Sequence, residues 1–182
     1  MQVMKILAFA GSNSSESINH QLILFLVNQI NEVETEIIRL TEFNIPLYGI
    51  DIEKNKGFPK GVLDLYDKIQ KAEGIIISVA EHNGNMTAFF KSVFDWLSRY
   101  NRSFLEGKKI MLLSTSPGAK GGASALALTQ KALSYFKGEL VTSYSLGNFH
   151  KIFKDNRITD EVIEGKLTEL IRYFLSELSF ND

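Results

Sequence analysis

A polar loop near the start of the chain carries residue types that can bind an anion. It reads GSNSSESIN from Gly11 to Asn19, contains four serines, and lies between an apolar run and an amphipathic segment. A loop that leads from a buried strand into a helix presents free backbone N–H groups, hydroxyl donors and the positive end of the helix dipole. We expect this loop to bind a phosphate group. The simpler alternative is that Ser17 only caps the helix and the other serines complete a turn.

The loop lacks the patterns of the common phosphate-binding motifs. It contains neither GxxxxGK followed by serine or threonine, which marks nucleotidase P-loops, nor GxGxxG, which marks dinucleotide-binding folds. The strand before it does not end in the paired acids that hold magnesium in phospho-accepting receiver domains. The sequence therefore favours one terminal phosphate over a pyrophosphate.

Two further polar loops follow apolar runs later in the chain. They read AEHNGNMT from Ala80 to Thr87 and STSPGAKGGAS from Ser114 to Ser124, and both are rich in glycine, hydroxyl and amide groups. In an open parallel sheet, ligands bind outside the carboxyl ends of the strands, at the point where the strand order reverses. We expect all three loops to meet there around one polar ligand.

The loops are carried by apolar runs that alternate with amphipathic segments, a pattern typical of an α/β fold. Continuous apolar runs predict strands at 4–10, 34–40, 74–80, 110–114 and 139–144, and helical spacing predicts helices at 17–31, 60–72, 86–100, 123–136 and 159–178. Right-handed crossovers then give a sheet of order 2-1-3-4-5 with helices on both faces. Residues 41–59 are expected to form a loop, and residues 1–182 a single domain.

The composition limits the classes of partner. With 20 basic and 21 acidic residues, the chain has no net positive charge to attract nucleic acid or a membrane surface. It has no cysteine, which excludes disulfides and thiolate metal sites, and no apolar stretch of about 20 residues that could span a membrane. We expect a cytoplasmic protein without a metal site, in which His20 and His150 are solvated side chains.

Four segments together resemble a known family. GSNSSESIN, PLYGIDIE, AEHNGNMTAFFKSVFDWLSR and LSTSPGAKGGA occur in the order and at the spacing of the NAD(P)H-dependent FMN reductases, and the resemblance covers about residues 4–175. It implies a flavodoxin-like three-layer sandwich, bound FMN, two-electron reduction by NADH or NADPH, and a homodimer or homotetramer. The acceptor is expected to be a small molecule such as a quinone, free flavin or azo compound. If donor and acceptor use the same slot above the flavin, the kinetics should be ping-pong.

The resemblance also implies which residues bind FMN. The first loop supplies the phosphate and ribityl end, the second runs along the isoalloxazine ring, and the third lies on the flavin side: Ser12, Ser14, Ser17, Ile18, Asn19, Glu81, His82, Asn83, Gly84, Asn85, Ser116 and Gly118. Ser14 stands where many members of the family have arginine, which predicts looser FMN binding. Two alternatives remain: Glu81 caps the following helix, and Asn83 with Gly84 forms only a turn. No side chain is needed as an acid or base, because the cofactor carries the chemistry.

The helix that carries FFKSVFDWLSRY is a candidate subunit interface. Its Trp96, Arg99 and Tyr100 are large groups beside the apolar face, of residue types enriched at interfaces. In a monomer, Asp95 and Arg99 would form a surface ion pair one helical turn apart. Two functions besides a reductase stay open: an electron carrier of the flavodoxin type, which the near-zero net charge disfavours, and a flavin-binding regulatory module without turnover.

Overall fold

The computed structural model describes residues 4–179. Its strands, in chain order, are β1 (Lys5–Gly11), β2 (Glu34–Ile38), β3 (Gly74–Val79), β4 (Glu81–His82), β5 (Asn85–Met86), β6 (Lys109–Thr115), β7 (Glu139–Leu146), β8 (Phe153–Lys154) and β9 (Arg157–Ile158). Its α-helices are α1 (Ile18–Val27), α2 (Ile50–Lys56), α3 (Lys60–Lys71), α4 (Ala88–Tyr100), α5 (Ala123–Tyr135), α6 (Phe149–Ile152) and α7 (Glu161–Ser179). No helix within residues 4–179 is long and apolar enough to cross a membrane.

The main sheet confirms the predicted strand order. Its order is β2-β1-β3-β6-β7, and every neighbouring pair is parallel. The four remaining strands form two small antiparallel hairpins, β4–β5 and β8–β9. Because the strand order reverses at β1, the carboxyl ends of β1 and β3 flank the crevice where sheets of this kind bind ligands.

Helices cover both faces of the sheet, as the apolar runs predict. Successive side chains of β1 point to opposite faces, so Leu7 packs into one core and Ile6 into the other. The first core is closed by α3, α4 and α5, and the second by α1 and α7. Both faces of the central strands are therefore buried, which explains why their sequences are apolar without alternation.

The prediction that residues 41–59 form a loop is wrong in part. The segment holds most of a 3-10 turn, Leu40–Phe43, and all of α2. No residue of α2 is buried, so the helix has no apolar face that periodicity could reveal. The segment is nevertheless fastened to α4, because the Pro46 carbonyl accepts hydrogen bonds from Trp96 Nε1 at 2.9 Å and Ser92 Oγ at 3.3 Å.

Three side chains of α4 make contacts that differ from the predicted ones. Trp96 is 0% exposed and packs edge-on against Tyr48 and Phe58, so it belongs to this chain's own core and not to a subunit interface. Arg99 forms an ion pair with Glu53 of α2 at 2.9 Å, while Asp95 pairs with Lys91. The predicted Asp95–Arg99 pair is therefore replaced by a tertiary one, since α2 places a carboxylate within reach of the guanidinium.

Candidate functional site

The three polar loops meet in one cleft of about 260 Å³ at the carboxyl edge of the sheet. Eight of the twelve residues predicted as cofactor-binding line it: Ser12, Ser14, Ser17, Ile18, Asn19, Glu81, His82 and Ser116. Four do not: Asn83, Gly84, Asn85 and Gly118. Five further residues line it as well: Glu16, Ala80, Thr115, Pro117 and His150. Larger clefts elsewhere, such as one of about 460 Å³ between α7 and the segment after α1, lie away from these loops.

The start of α1 offers unpaired hydrogen-bond donors to this cleft. The Ser17 Oγ accepts the His20 N–H at 3.2 Å and so caps the helix, as the simpler alternative predicted. The N–H groups of Ile18 and Asn19 have no partner among residues 4–179. The hydroxyl proton of Ser17 also stays available, because a capping oxygen accepts and does not donate. A helix start with free N–H groups and hydroxyls is a site for an anion.

The loop before α1 is shaped by its own serines. Ser12 Oγ accepts the Ser14 N–H at 3.2 Å, and Ser14 Oγ accepts the Glu16 N–H at 3.2 Å. Both hydroxyl oxygens act as acceptors, so both protons can still be donated to a ligand. These local bonds curl the backbone and leave a cluster of O–H groups beside the start of α1.

Asn19 ties the start of α1 to the sheet. Its side chain is 3% exposed, and Oδ1 accepts hydrogen bonds from Ser78 Oγ at 2.8 Å and from the Thr115 N–H at 3.1 Å. Its Nδ2 donates to the Thr115 carbonyl at 3.2 Å. The amide oxygen is thus saturated by protein partners, and what Asn19 offers the cleft is its backbone N–H.

The second loop is a tight hairpin that is fastened to α5. Asn83 and Gly84 have φ values of 53° and 76°, which suit a two-residue turn between β4 and β5. Glu81 does act as a helix cap, but not for the following helix: its Oε2 accepts the Ala125 N–H of α5 at 2.9 Å. The following helix, α4, is capped instead by Thr87 Oγ1, which accepts the Phe90 N–H at 3.1 Å. A carboxylate therefore already occupies the positive end of α5.

The third loop is held against the segment after β7. Ser114 Oγ donates to the Gly121 carbonyl at 2.8 Å, and the Gly118 carbonyl accepts the Asn148 N–H at 2.9 Å. At Gly121, with a φ of 59°, a Cβ atom would lie 2.5 Å from the Leu146 carbonyl carbon. Only glycine fits this close approach, which lets the loop and the end of β7 pack backbone against backbone.

The three histidines lie in different surroundings. The expectation that His20 is solvated is wrong: it is 7% exposed, and burial, reinforced by the nearby Arg39, lowers its pKa. His82 and His150 are exposed, and both line the cleft. Over residues 4–179, no group of three histidine, aspartate or glutamate side chains is arranged to hold a metal ion.

A five-stranded parallel sheet of this order, with helices on both faces and polar loops at its switch point, is a flavodoxin-like fold. The model of the NADPH-dependent FMN reductase family matches residues 4–151. The chain therefore belongs to the NADPH-dependent FMN reductase family, whose members act with FMN and a nicotinamide donor.

The chain is also similar to individual proteins, and the solved structure among them shares its fold. A quinone reductase of Escherichia coli is 38% identical over 80 residues, which is 44% of this chain and 43% of the relative's length. The NADH:(hydroxy)cinnamate reductase subunit CrdA of Vibrio ruber is 29% identical. The match covers 98% of this chain and 88% of the length of CrdA. The solved structure of FerB, a flavoenzyme NAD(P)H:acceptor oxidoreductase from Paracoccus denitrificans, superposes with a TM-score of 0.75 at 24% identity, covering 97% and 98% of the two chains.

Proposed function

We propose that this protein is an FMN-dependent oxidoreductase that transfers two electrons from NADH or NADPH to a small-molecule acceptor of the quinone, flavin or azo type. The observation that carries the proposal is the set of unpaired donors in the cleft, namely the N–H groups of Ile18 and Asn19 with the serine hydroxyls before them. In a chain of the FMN reductase family, such donors suit the flavin phosphate.

Each of the three loops would bind a different part of FMN. Ser12, Ser14 and Ser17 would donate hydroxyl protons to the phosphate, and the start of α1 would add its N–H groups and dipole. The β4–β5 hairpin and the loop at Ser116 would border the ring system, with backbone N–H groups near Asn83 able to stabilise negative charge on it. Bound FMN would supply hydride acceptance and electron transfer, which no side chain here provides.

The order of substrate binding is part of the proposal. We expect the nicotinamide and the acceptor to occupy the same slot in turn, since both must face the ring that the hairpin borders. The near-planar acceptors named above would be bound by shape and stacking, with little demand on specific side chains. Ping-pong kinetics are the consequence.

The decisive experiment is a titration of the apoprotein with FMN, followed by steady-state kinetics with NADPH and a quinone. Ser12→Ala should weaken FMN binding, whereas Ser176→Ala, a matched change in the separate cleft between α7 and the segment after α1, should not. Initial rates should give parallel double-reciprocal lines. Intersecting lines would mean that both substrates bind at once, and FMN binding without turnover would favour an electron carrier or a regulatory module.

The assembly and compartment belong to the same proposal. We expect a cytoplasmic homodimer or homotetramer, although Trp96 cannot serve its interface. Three exposed apolar side chains on or beside α4 remain available to a second subunit: Leu47, Ile50 and Tyr100. Sedimentation at micromolar concentration tests this expectation, and a stable monomer would contradict it.

A further inference from the structure

The proposed phosphate site has an unusual balance of charge. No lysine or arginine lines the cleft in the described part of the chain, and Ser14 offers only a hydroxyl. Two carboxylates line it, and that of Glu81 is engaged by the Ala125 N–H while Glu16 is exposed. The side chains of the cleft that can become positive are therefore His82 and His150.

The two histidines lie toward opposite faces of the sheet. His82 belongs to the β4–β5 hairpin, whose Met86 packs into the core closed by α3, α4 and α5. His150 belongs to α6, whose Phe149 packs into the core closed by α1 and α7. The free N–H groups at the start of α1 are on the second side. His150 is thus the histidine that shares a sheet face with the phosphate donors.

The position of His150 is fixed by its neighbours. The preceding residue, Phe149, is 1% exposed and stacks on Phe153 at 4.5 Å, and Phe153 in turn packs edge-on against Phe25 of α1 at 6.0 Å. The Phe149 N–H also donates to the Ser116 carbonyl at 3.1 Å. These contacts anchor α6 both to α1 and to the loop after β6, so His150 is held at the cleft that these elements share.

The imidazole of His150 is available for a ligand. It packs against the ring of Phe149, with 5.7 Å between the ring centroids, and makes no hydrogen bond or ion pair with another residue in the range 4–179. A side chain that is anchored through its backbone and lines the same cleft as Ser12, Ser14 and Ser17 is placed to contact a ligand there.

We infer that His150 donates a hydrogen bond to the phosphate of FMN and replaces the basic side chain that position 14 lacks. The inference rests on the proposed function, because it assumes that FMN occupies the cleft. A ring N–H that donates to a phosphate oxygen makes a charge-assisted hydrogen bond, because the acceptor is ionised. His150 would then select phosphorylated flavin over the same ring system without phosphate.

Titrations of apoprotein with FMN and with riboflavin, followed by flavin fluorescence, test this role. His150→Ala should weaken FMN binding about tenfold or more, as expected for a charge-assisted hydrogen bond, and leave riboflavin binding unchanged. Lys151→Ala is the matched control, because it removes a cation from the same helix outside the cleft and should leave the FMN-to-riboflavin ratio unchanged. Adding Ser14→Arg to His150→Ala should restore the preference for FMN.

The outcomes separate this inference from the proposed function. Equal loss of FMN and riboflavin affinity in His150→Ala would assign it a structural role and overturn the inference, as would unchanged FMN affinity. Wild-type protein that binds neither flavin would overturn the proposed function and the inference together. Thermal unfolding of each variant verifies that it is folded before the titrations are compared.

Discussion

At the scale of single residues, loss of the Asn19 side chain should lower the stability of the protein. Asn19→Ala removes three hydrogen bonds and leaves Ser78 and the Thr115 backbone buried without partners. We expect the free energy of unfolding in urea to fall by about 2 to 3 kcal/mol. Asn28→Ala, at the exposed far end of α1, is the control and should change little. A variant with full stability that only loses FMN affinity would make the side chain a ligand contact instead.

His20 predicts a pH dependence of stability. Burial lowers its pKa in the folded protein, so the folded state favours the neutral imidazole. The stability that this residue contributes is present above the unfolded pKa of about 6.5 and is lost as the pH falls from there through the folded pKa. His20→Gln should flatten the decline in unfolding free energy between about pH 7.5 and 5.5. An identical pH profile in the variant would show that other groups cause the decline.

At the scale of elements, Glu81 couples the hairpin to α5. Glu81→Ala should destabilise the protein by about 1 kcal/mol, because it removes the cap of α5. It should also speed hydrogen exchange of amides in residues 81–86 and at the start of α5, since each element loses its anchor on the other. Glu106→Ala, an exposed glutamate, serves as the control. Faster exchange at α5 alone would show that the hairpin does not depend on this contact.

The packing of α4 on β1 depends on Gly11. A Cβ atom at this position would lie 2.7 Å from the ring of Phe90. Gly11→Ala should therefore destabilise by about 1 to 3 kcal/mol, and Phe90→Leu in the same chain should recover part of the loss. Gly165→Ala, where a Cβ meets nothing within 4 Å, should be neutral or stabilising in the same denaturation experiment. Additive effects of Gly11→Ala and Phe90→Leu would contradict the proposed clash.

At the scale of the whole molecule, the start of α1 is the part of the cleft that favours an anion. The N–H groups of Ile18 and Asn19 have no partner among residues 4–179, whereas the start of α5 already holds the carboxylate of Glu81. We therefore expect the apoprotein to take up FMN in preference to FAD, whose pyrophosphate would need further donors. Parallel titrations with the two flavins measure the preference. Recovery of stoichiometric FAD from the purified protein would contradict it.

The sequence by itself determined the sheet and the three loops at its edge. Strands buried on both faces must be apolar throughout, so their positions and the α/β alternation can be recognised from local pattern. The same logic fails for α2, which buries no residue and therefore leaves no periodic signal. It fails for Trp96 too, because its neighbours Tyr48 and Phe58 lie far away in the chain.

Only the tertiary structure decided what the polar side chains of the site do. The sequence marked Asn19 and Glu81 as flavin contacts but could not show that Asn19 binds Thr115, 96 residues away, or that Glu81 binds Ala125, 44 residues away. It marked His150 as solvated, and the residue is exposed, but nothing near it in the chain indicates that α6 packs beside α1 and brings His150 to the cleft. Burial of a helix or strand face produces a regular spacing of apolar residues in the sequence. A hydrogen bond between distant residues produces no such local pattern. Such contacts exist only once the crossovers have brought the ends of β1, β3 and β6 together.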